Sequence, residues 1–136
     1  MARECTLVKE TEPAISFNCS TSTGIEKGAV CKMTDNMTAI LADGDTDICA
    51  GIVQSEVLGT NSGKVAIYRG GIFRGYAGAA GVTVGNAIIT DVSTGDTNEL
   101  VNADGDSEQL VGIALETATD GNTFLFELNP RAVNFA

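Results

Sequence analysis

The sequence predicts an all-β protein, folded as a compact antiparallel barrel or sandwich. Short runs rich in β-branched residues recur about every eight to twelve residues, and glycine, asparagine and aspartate separate them. No segment keeps an apolar period of 3.6 residues over three turns. Residues 47–57 come nearest to a helical pattern, but Gly51 and its β-branched neighbours argue against a helix there. We therefore expect helix to be scarce.

Turn chemistry divides the chain into its strands. Asp43-Gly44, Asp104-Gly105 and Asp120-Gly121 place glycine where a positive φ costs little, and Thr94-Gly95-Asp96 does the same. The predicted strands, in chain order, are Thr6–Glu10, Ile15–Asn18, Ala29–Met33, Thr38–Leu41, Ile48–Val57, Lys64–Arg69, Ile72–Tyr76, Ala87–Val92, Glu99–Asn102, Leu110–Thr117 and Thr123–Leu128.

The chain also contains an internal repeat. An acidic turn at residues 42–47 (Ala-Asp-Gly-Asp-Thr-Asp) is followed, three residues on, by Gly51-Ile52. A second acidic turn at residues 103–108 (Ala-Asp-Gly-Asp-Ser-Glu) is followed at the same distance by Gly112-Ile113. An apolar segment precedes each turn. A repeat of this kind predicts a scaffold of stacked β-units.

From the repeat we predict one β domain over residues 24–136, built from two similar units at about 28–57 and 85–117. Residues 1–23 are predicted to form an N-terminal arm or extra strands. Residues 1–12 are rich in charge and precede Pro13, so they are candidates to pack on a neighbouring molecule.

The charge balance excludes several classes of partner. Eighteen acidic and eight basic side chains give a net charge of −10, which repels nucleic-acid phosphates and anionic lipid headgroups. We therefore expect neither nucleic-acid nor membrane binding. Without an apolar leader or a span-length segment, we expect synthesis in a reducing host cytoplasm. The spacing of Cys5, Cys19, Cys31 and Cys49 matches neither a redox pair nor a zinc ribbon, so buried free thiols are expected.

Little in the sequence indicates catalysis, and we assign no catalytic residue, metal or cofactor. Histidine is absent, and no nucleophile or carboxylate pair stands out. The alternating carboxylates of residues 43–47 and 104–108 resemble the start of a calcium loop, but the glycine and bidentate glutamate that complete such a loop are missing. Solvated hairpin turns are the simpler interpretation, and a metal-dependent hydrolase built on these turns is a minor alternative.

One segment has the composition of an interface. Arg69, Phe73, Arg74 and Tyr76 bring half of the arginines together with aromatic residues in an otherwise acidic chain. Arginine and tyrosine provide planar contact area, and the guanidinium groups can meet a partner's carboxylates. Arg3, in the N-terminal arm, is a further candidate contact. The alternative is an exposed strand face on which these residues only balance charge.

Several glycine-led strands carry a resemblance to a known family. These are Gly71-Ile72-Phe73, residues 84–88 (Val-Gly-Asn-Ala-Ile) leading to Asp91, residues 111–114 (Val-Gly-Ile-Ala) and residues 121–128 (Gly-Asn-Thr-Phe-Leu-Phe-Glu-Leu). Over residues 25–130 the chain resembles the small capsid decoration (cement) proteins of tailed bacteriophages.

The resemblance implies a non-enzymatic virion protein that forms a homotrimer on the capsid exterior. It also implies that the major capsid protein is the partner and that the shell is stabilised. The chain departs from the family pattern in its longer lead, residues 1–23, and in its four cysteines. The sequence leaves open another virion attachment component, such as a tail or fibre subunit, or a glycan-binding module.

Overall fold

The computed structural model describes residues 3–19, 24–42, 48–57, 63–91, 98–103 and 109–132. All regular structure in these ranges is β-strand, which confirms the predicted all-β class. The eleven strands are β1 (Thr6–Lys9), β2 (Ile15–Cys19), β3 (Val30–Asp35), β4 (Thr38–Leu41), β5 (Cys49–Val53), β6 (Gly63–Tyr68), β7 (Gly71–Tyr76), β8 (Ala87–Thr90), β9 (Leu100–Asn102), β10 (Gln109–Ala114) and β11 (Thr123–Ala132).

The strands form two sheets. The first is a closed barrel in the order β2-β4-β3-β5-β6, and the second is a six-stranded sheet in the order β1-β7-β11-β10-β8-β9. Apart from the β2–β4 contact, which is parallel, the strand pairs are antiparallel. Among the described residues, four of the ten strand pairs join strands that are consecutive in the chain, namely β3–β4, β5–β6, β8–β9 and β10–β11.

The two halves of the chain share one pairing pattern. The first β-unit, β2–β6, and the second β-unit, β7–β11, connect their five strands in the same order. In the first unit, parallel pairing of Asn18 with Thr38 joins β2 to β4. In the second, a parallel bridge between Ala77 and Leu100 joins the end of β7 to β9. The second sheet therefore curls toward the barrel shape that the first unit completes.

Individual hydrogen bonds repeat between the units. Ile25 and Val57 exchange two backbone hydrogen bonds of 2.8 Å in the first unit. Val82 and Ala118 exchange the corresponding pair, at 2.9 and 3.1 Å, in the second. The equivalent backbone pairing thus continues, as isolated bridges, beyond the segments in which the sequence repeat is visible.

A left-handed glycine begins the central hairpin of each unit. Gly28 has a φ of 80° and donates from its backbone N–H to the Val53 carbonyl at 3.1 Å. Gly85 has a φ of 87° and donates to the Ala114 carbonyl at 2.8 Å. Because L side chains rarely adopt this φ, glycine is the residue that suits both positions.

The N-terminal lead contributes β2 to the first unit and adds one further strand, β1, to the second unit. β1 pairs antiparallel with β7, with Thr6 opposite Arg74. Asn98 fastens the start of this strand, because its side-chain amide donates to the carbonyls of Arg3 (2.7 Å) and Gly28 (3.0 Å). Its carbonyl oxygen accepts from the backbone N–H of Val30 at 2.9 Å. One side chain therefore joins the lead, the first unit and the second unit.

The hydrophobic core has two parts. The first fills the closed barrel around residues such as Phe17 and Ile67. The second fills the curled sheet and extends to the outer wall of the first barrel, where the Tyr68 ring meets Phe73 edge-on at 5.7 Å. Phe73 also stacks with Phe126 at 6.0 Å. The two units are therefore joined by continuous apolar packing.

The four cysteines are buried and free, which confirms the expectation from their spacing. Burial raises the pKa of the Cys5 thiol and of the Cys49 thiol to about 12, and it raises the pKa of Cys31 further. The thiols therefore stay protonated at neutral pH. A protonated thiol is a poor nucleophile and a poor metal ligand, so they are consistent with a core-filling role.

Candidate interaction surface

The predicted interface residues on β7 divide between its two faces. Arg74 and Tyr76 are two residues apart and share the outer face, whereas Phe73 points inward and is 1% exposed. Phe73 packs in the core between Tyr68 and Phe126. The structure therefore presents Arg74 and Tyr76 to solvent and uses Phe73 for stability.

Arg3 joins the same outer face from the N-terminal lead. Its guanidinium lies 5.2 Å from the centroid of the Tyr76 ring, within the range of a cation–π contact. It also forms an ion pair with the buried side chain of Glu99. The buried Glu99 side chain thus has a cationic partner, and Arg3 is held against the sheet. We call Arg3, Arg74 and Tyr76 the basic patch.

Arg74 is the most accessible cation of the basic patch. Its Nη1 lies 3.5 Å from Thr123 Oγ1 and 3.7 Å from Glu116 Oε1, and both side chains of the ion pair are nearly half exposed. Exposed pairs at such distances contribute little to stability. The Arg74 guanidinium can therefore exchange Glu116 for a carboxylate on a partner at small cost.

Arg69 lies apart from the basic patch. It follows β6 in the first unit and is half-buried. Its positive charge partly offsets the increase that burial causes in the pKa of Cys49. Of the five residues predicted for an interface, the structure brings together Arg3, Arg74 and Tyr76, and it separates Arg69 and Phe73 from them.

A second patch on the outer face was missed by the sequence analysis. Ile113 in β10 is 38% exposed, and Leu115, just beyond the end of β10, is 41% exposed. Leu115 donates its backbone N–H to the Leu125 carbonyl at 2.8 Å, which places the half-buried Leu125 beside it. We call Ile113, Leu115 and Leu125 the apolar patch. The apolar residues at alternate positions 113 and 115, in β10 and just beyond its end, were the available signal, but alternation alone does not show which face is covered.

A cavity of about 270 Å³ opens where β1 crosses the first unit. Polar groups in its lining include Glu4, Lys27 and Gln54, and the Gln54 amide donates to the Tyr68 hydroxyl at 3.1 Å. The Cys5 thiol, also in the lining, is kept protonated by its raised pKa. This cavity, with its polar groups and apolar walls, could hold a small molecule, but it contains no thiolate nucleophile.

Within the ranges that the structure describes, no group of three or more Cys, Asp or Glu side chains is arranged to hold a metal ion. Residues 43–47 and 104–108, the acidic turns considered for calcium, lie outside the described residues. In the same described ranges, no helix has the length and hydropathy needed to cross a bilayer.

Comparison with known proteins finds similarity among solved structures. No protein-family model matches the chain, and no curated protein matches it. Among solved structures, the N base of the head fiber gp8.5 in bacteriophage phi29 is similar, with a TM-score of 0.58 and 17% sequence identity. The alignment covers 89% of this chain and 98% of the phage chain. At this identity the similarity shows a shared fold.

Proposed function

We propose that this chain is a non-enzymatic structural protein of a phage virion. In this proposal it binds the major capsid protein on the exterior of the head as a homotrimer and stabilises the shell as a decoration protein. The observation that carries the proposal is the fold that it shares with the phi29 head fiber base over 89% of its length. The capsid-decoration resemblance of the sequence supports the same virion class independently.

The surface chemistry is suited to attachment. The chain carries a net charge of −10, while the basic patch concentrates Arg3, Arg74 and Tyr76 on one sheet face. Arginine beside an aromatic ring forms bidentate pairs with carboxylates and excludes water around them. In the proposed complex, the basic patch contacts acidic side chains of the major capsid protein. Three copies in one trimer multiply a modest contact into stable attachment.

A head-fibre base is the second candidate function, because the similar phi29 structure is itself the base of a head fiber. The two candidates differ in how the chain is arranged on a head. A decoration protein lies flat on many equivalent lattice positions, whereas a fibre base supports a projection. Electron microscopy of virions carrying gold-labelled chain separates them by the distribution and height of the label.

Capsid retention tests the proposed function. Purified chain is incubated with expanded empty capsids that lack their own copy, and the capsids are then sedimented. We expect the wild type to sediment with them and Arg74→Glu to bind at least about tenfold more weakly, because it places a carboxylate against acidic partners. Lys64→Glu is the matched control, because it makes the same change of charge on β6, outside the basic patch. The Lys64 ammonium donates a hydrogen bond to the side-chain oxygen of Asn18.

Two results would contradict the proposal. One is a wild-type chain that fails to sediment with any expanded capsid. The other is equal loss of retention in Arg74→Glu and Lys64→Glu, which would show that net charge and not the basic patch governs binding.

A further inference from the structure

The two β-units are joined by one specific pair of surfaces. The outer wall of the first unit contributes Ile52 and Tyr68, which are 0% and 7% exposed. The second unit contributes its open end, where Phe73 contacts the Tyr68 ring at 5.7 Å. These residues belong to one continuous apolar cluster. A wall of one unit and an end of the other therefore form the joint.

The second unit has the same wall, and within the described ranges of the chain its apolar residues stay exposed. Ile52 pairs with Tyr68 across β5 and β6, and Ile113 pairs with Glu127 at the equivalent place across β10 and β11. Ile52 is fully buried, whereas Ile113 is 38% exposed. The neighbouring Leu115 is 41% exposed. The apolar patch is thus the exposed counterpart of the wall used inside the molecule.

The first unit correspondingly has an end at which, among the residues that the structure describes, Ile15 is exposed. Phe73 pairs with Phe126 in the second unit, and Ile15 pairs with Ile67 at the equivalent place in the first. Phe73 is 1% exposed because it packs on Tyr68, while Ile15 is 43% exposed. In the described part of each chain, the second unit therefore has an exposed apolar wall and the first unit has an exposed apolar end.

We propose that a second copy of this chain packs head to tail on the first, with its Ile15 end against the Ile113 wall. The occupant follows from the repeat, because these two kinds of surface already pack together once within the molecule. The polar residues complement each other too. Arg69 lies two residues beyond Ile67 at the exposed end, and Glu127 lies beside Ile113 on the exposed wall. Opposite charges thus border the apolar contact.

A contact between unlike surfaces is heterologous, so it can close into a ring or extend as a filament. This inference goes beyond the proposed function, because it depends on the repeat and on exposed apolar residues and needs no capsid. An oligomer that forms in solution but does not bind capsids would support this contact and contradict the proposed function.

Sedimentation velocity of the reduced full chain at about 100 μM tests the contact. We expect the wild type to be oligomeric and Ile113→Asp to weaken association at least about 30-fold, the loss typical of a central contact residue. Leu115→Asp is a second variant on the same wall, just beyond β10. Met37→Asp is the matched control, because Met37 is 49% exposed but lies beside Asn18, at the opposite end of β2 from Ile15. Circular dichroism establishes that each variant keeps its β structure.

Mixing variants tests the head-to-tail arrangement. Ile113→Asp keeps a normal Ile15 end, and Ile15→Asp keeps a normal Ile113 wall. Each variant is expected to be monomeric alone, and a mixture is expected to form 1:1 dimers that do not grow further. A wild type that is monomeric at about 100 μM, folded wall variants that keep the wild-type oligomer, or a mixture that stays monomeric would each overturn the proposal.

Discussion

Gly51 and Gly112 occupy the same position in the two β-units, and each lets a neighbouring strand approach within backbone contact. A Cβ atom on Gly51 would collide with the carbonyl oxygen of Tyr68, and a Cβ atom on Gly112 would collide with that of Glu127. Each glycine precedes the isoleucine that marks the wall of its unit. The repeated Gly-Ile pair in the sequence therefore reflects a steric requirement that both units share.

Alanine at either glycine is expected to destabilise the fold. Gly112→Ala should lower the free energy of unfolding by about 1–3 kcal/mol, because the added methyl displaces the Glu127 backbone. Gly51→Ala should cost more, since Gly51 also has a φ of 139°. Urea denaturation measures both changes. Gly85→Asn is the control, because a Cβ atom at position 85 meets open space and asparagine tolerates a positive φ. Equal stability of Gly112→Ala and the wild type would contradict the prediction.

Asn98 is expected to stabilise the fold through the hydrogen bonds that connect the lead with both units. Asn98→Ala removes the acceptor of the Val30 N–H and the donor to Arg3 and Gly28, and it leaves alanine at a φ of 63°. We expect a loss of about 2–4 kcal/mol in the free energy of unfolding.

Asn98→Gly separates the two contributions. It relieves the backbone strain but still lacks the hydrogen bonds, so it should be about 1 kcal/mol more stable than Asn98→Ala. Hydrogen exchange at the Val30 amide should become faster in both variants. An Asn98→Gly protein as stable as the wild type would show that the hydrogen bonds contribute nothing.

The buried thiols predict a loss of stability in alkali. Burial raises the pKa of Cys5 from 9.0 to about 12, so the folded state retains a proton that the unfolded state releases above pH 9. The contribution is therefore fully present below pH 9 and is lost as the pH rises toward 12, by up to about 1.4 kcal/mol per pH unit.

Cys5→Ala should make the decline less steep under reducing conditions. Chemical denaturation of wild type and variant between pH 8 and about pH 10.5 measures the difference, since every titrating group other than Cys5 is common to both. Val111→Ala is the control, because it removes core volume without removing a titrating group and should shift stability equally at every pH. Parallel curves for wild type and Cys5→Ala would refute the prediction.

Phe73 and Arg74 are adjacent in sequence, but we expect alanine substitution to destabilise the fold strongly at Phe73 and hardly at all at Arg74. Phe73→Ala should cost about 3–5 kcal/mol, because it empties a site between Tyr68 and Phe126. Arg74→Ala should change stability by no more than about 0.5 kcal/mol, since its ion pair with Glu116 is exposed. Thermal unfolding compares the two. A large loss in Arg74→Ala would show that the basic patch supports the fold itself.

Local chemistry explains why much of the fold was predictable. Aspartate-glycine and glycine-rich turns and β-branched runs act within a few residues, so they indicated strands close to those observed, including Thr38–Leu41 at its observed bounds. The grouping of Arg74 and Tyr76 was also local, because alternate residues of a strand share a face. The inward position of Phe73 follows from the same alternation, but the interface prediction was based on composition and included it.

The features of the fold that could not be predicted depend on which parts of the two β-units pack against each other. The sequence by itself determined strand-forming segments, their turns and the duplicated Gly-Ile element, because these follow from local backbone preferences. Only the tertiary structure decided that Ile52 is buried while its equivalent Ile113 is exposed, and that Asn98 joins three distant segments. Burial and cross-links are set by long-range packing between units, which identical local patterns cannot distinguish.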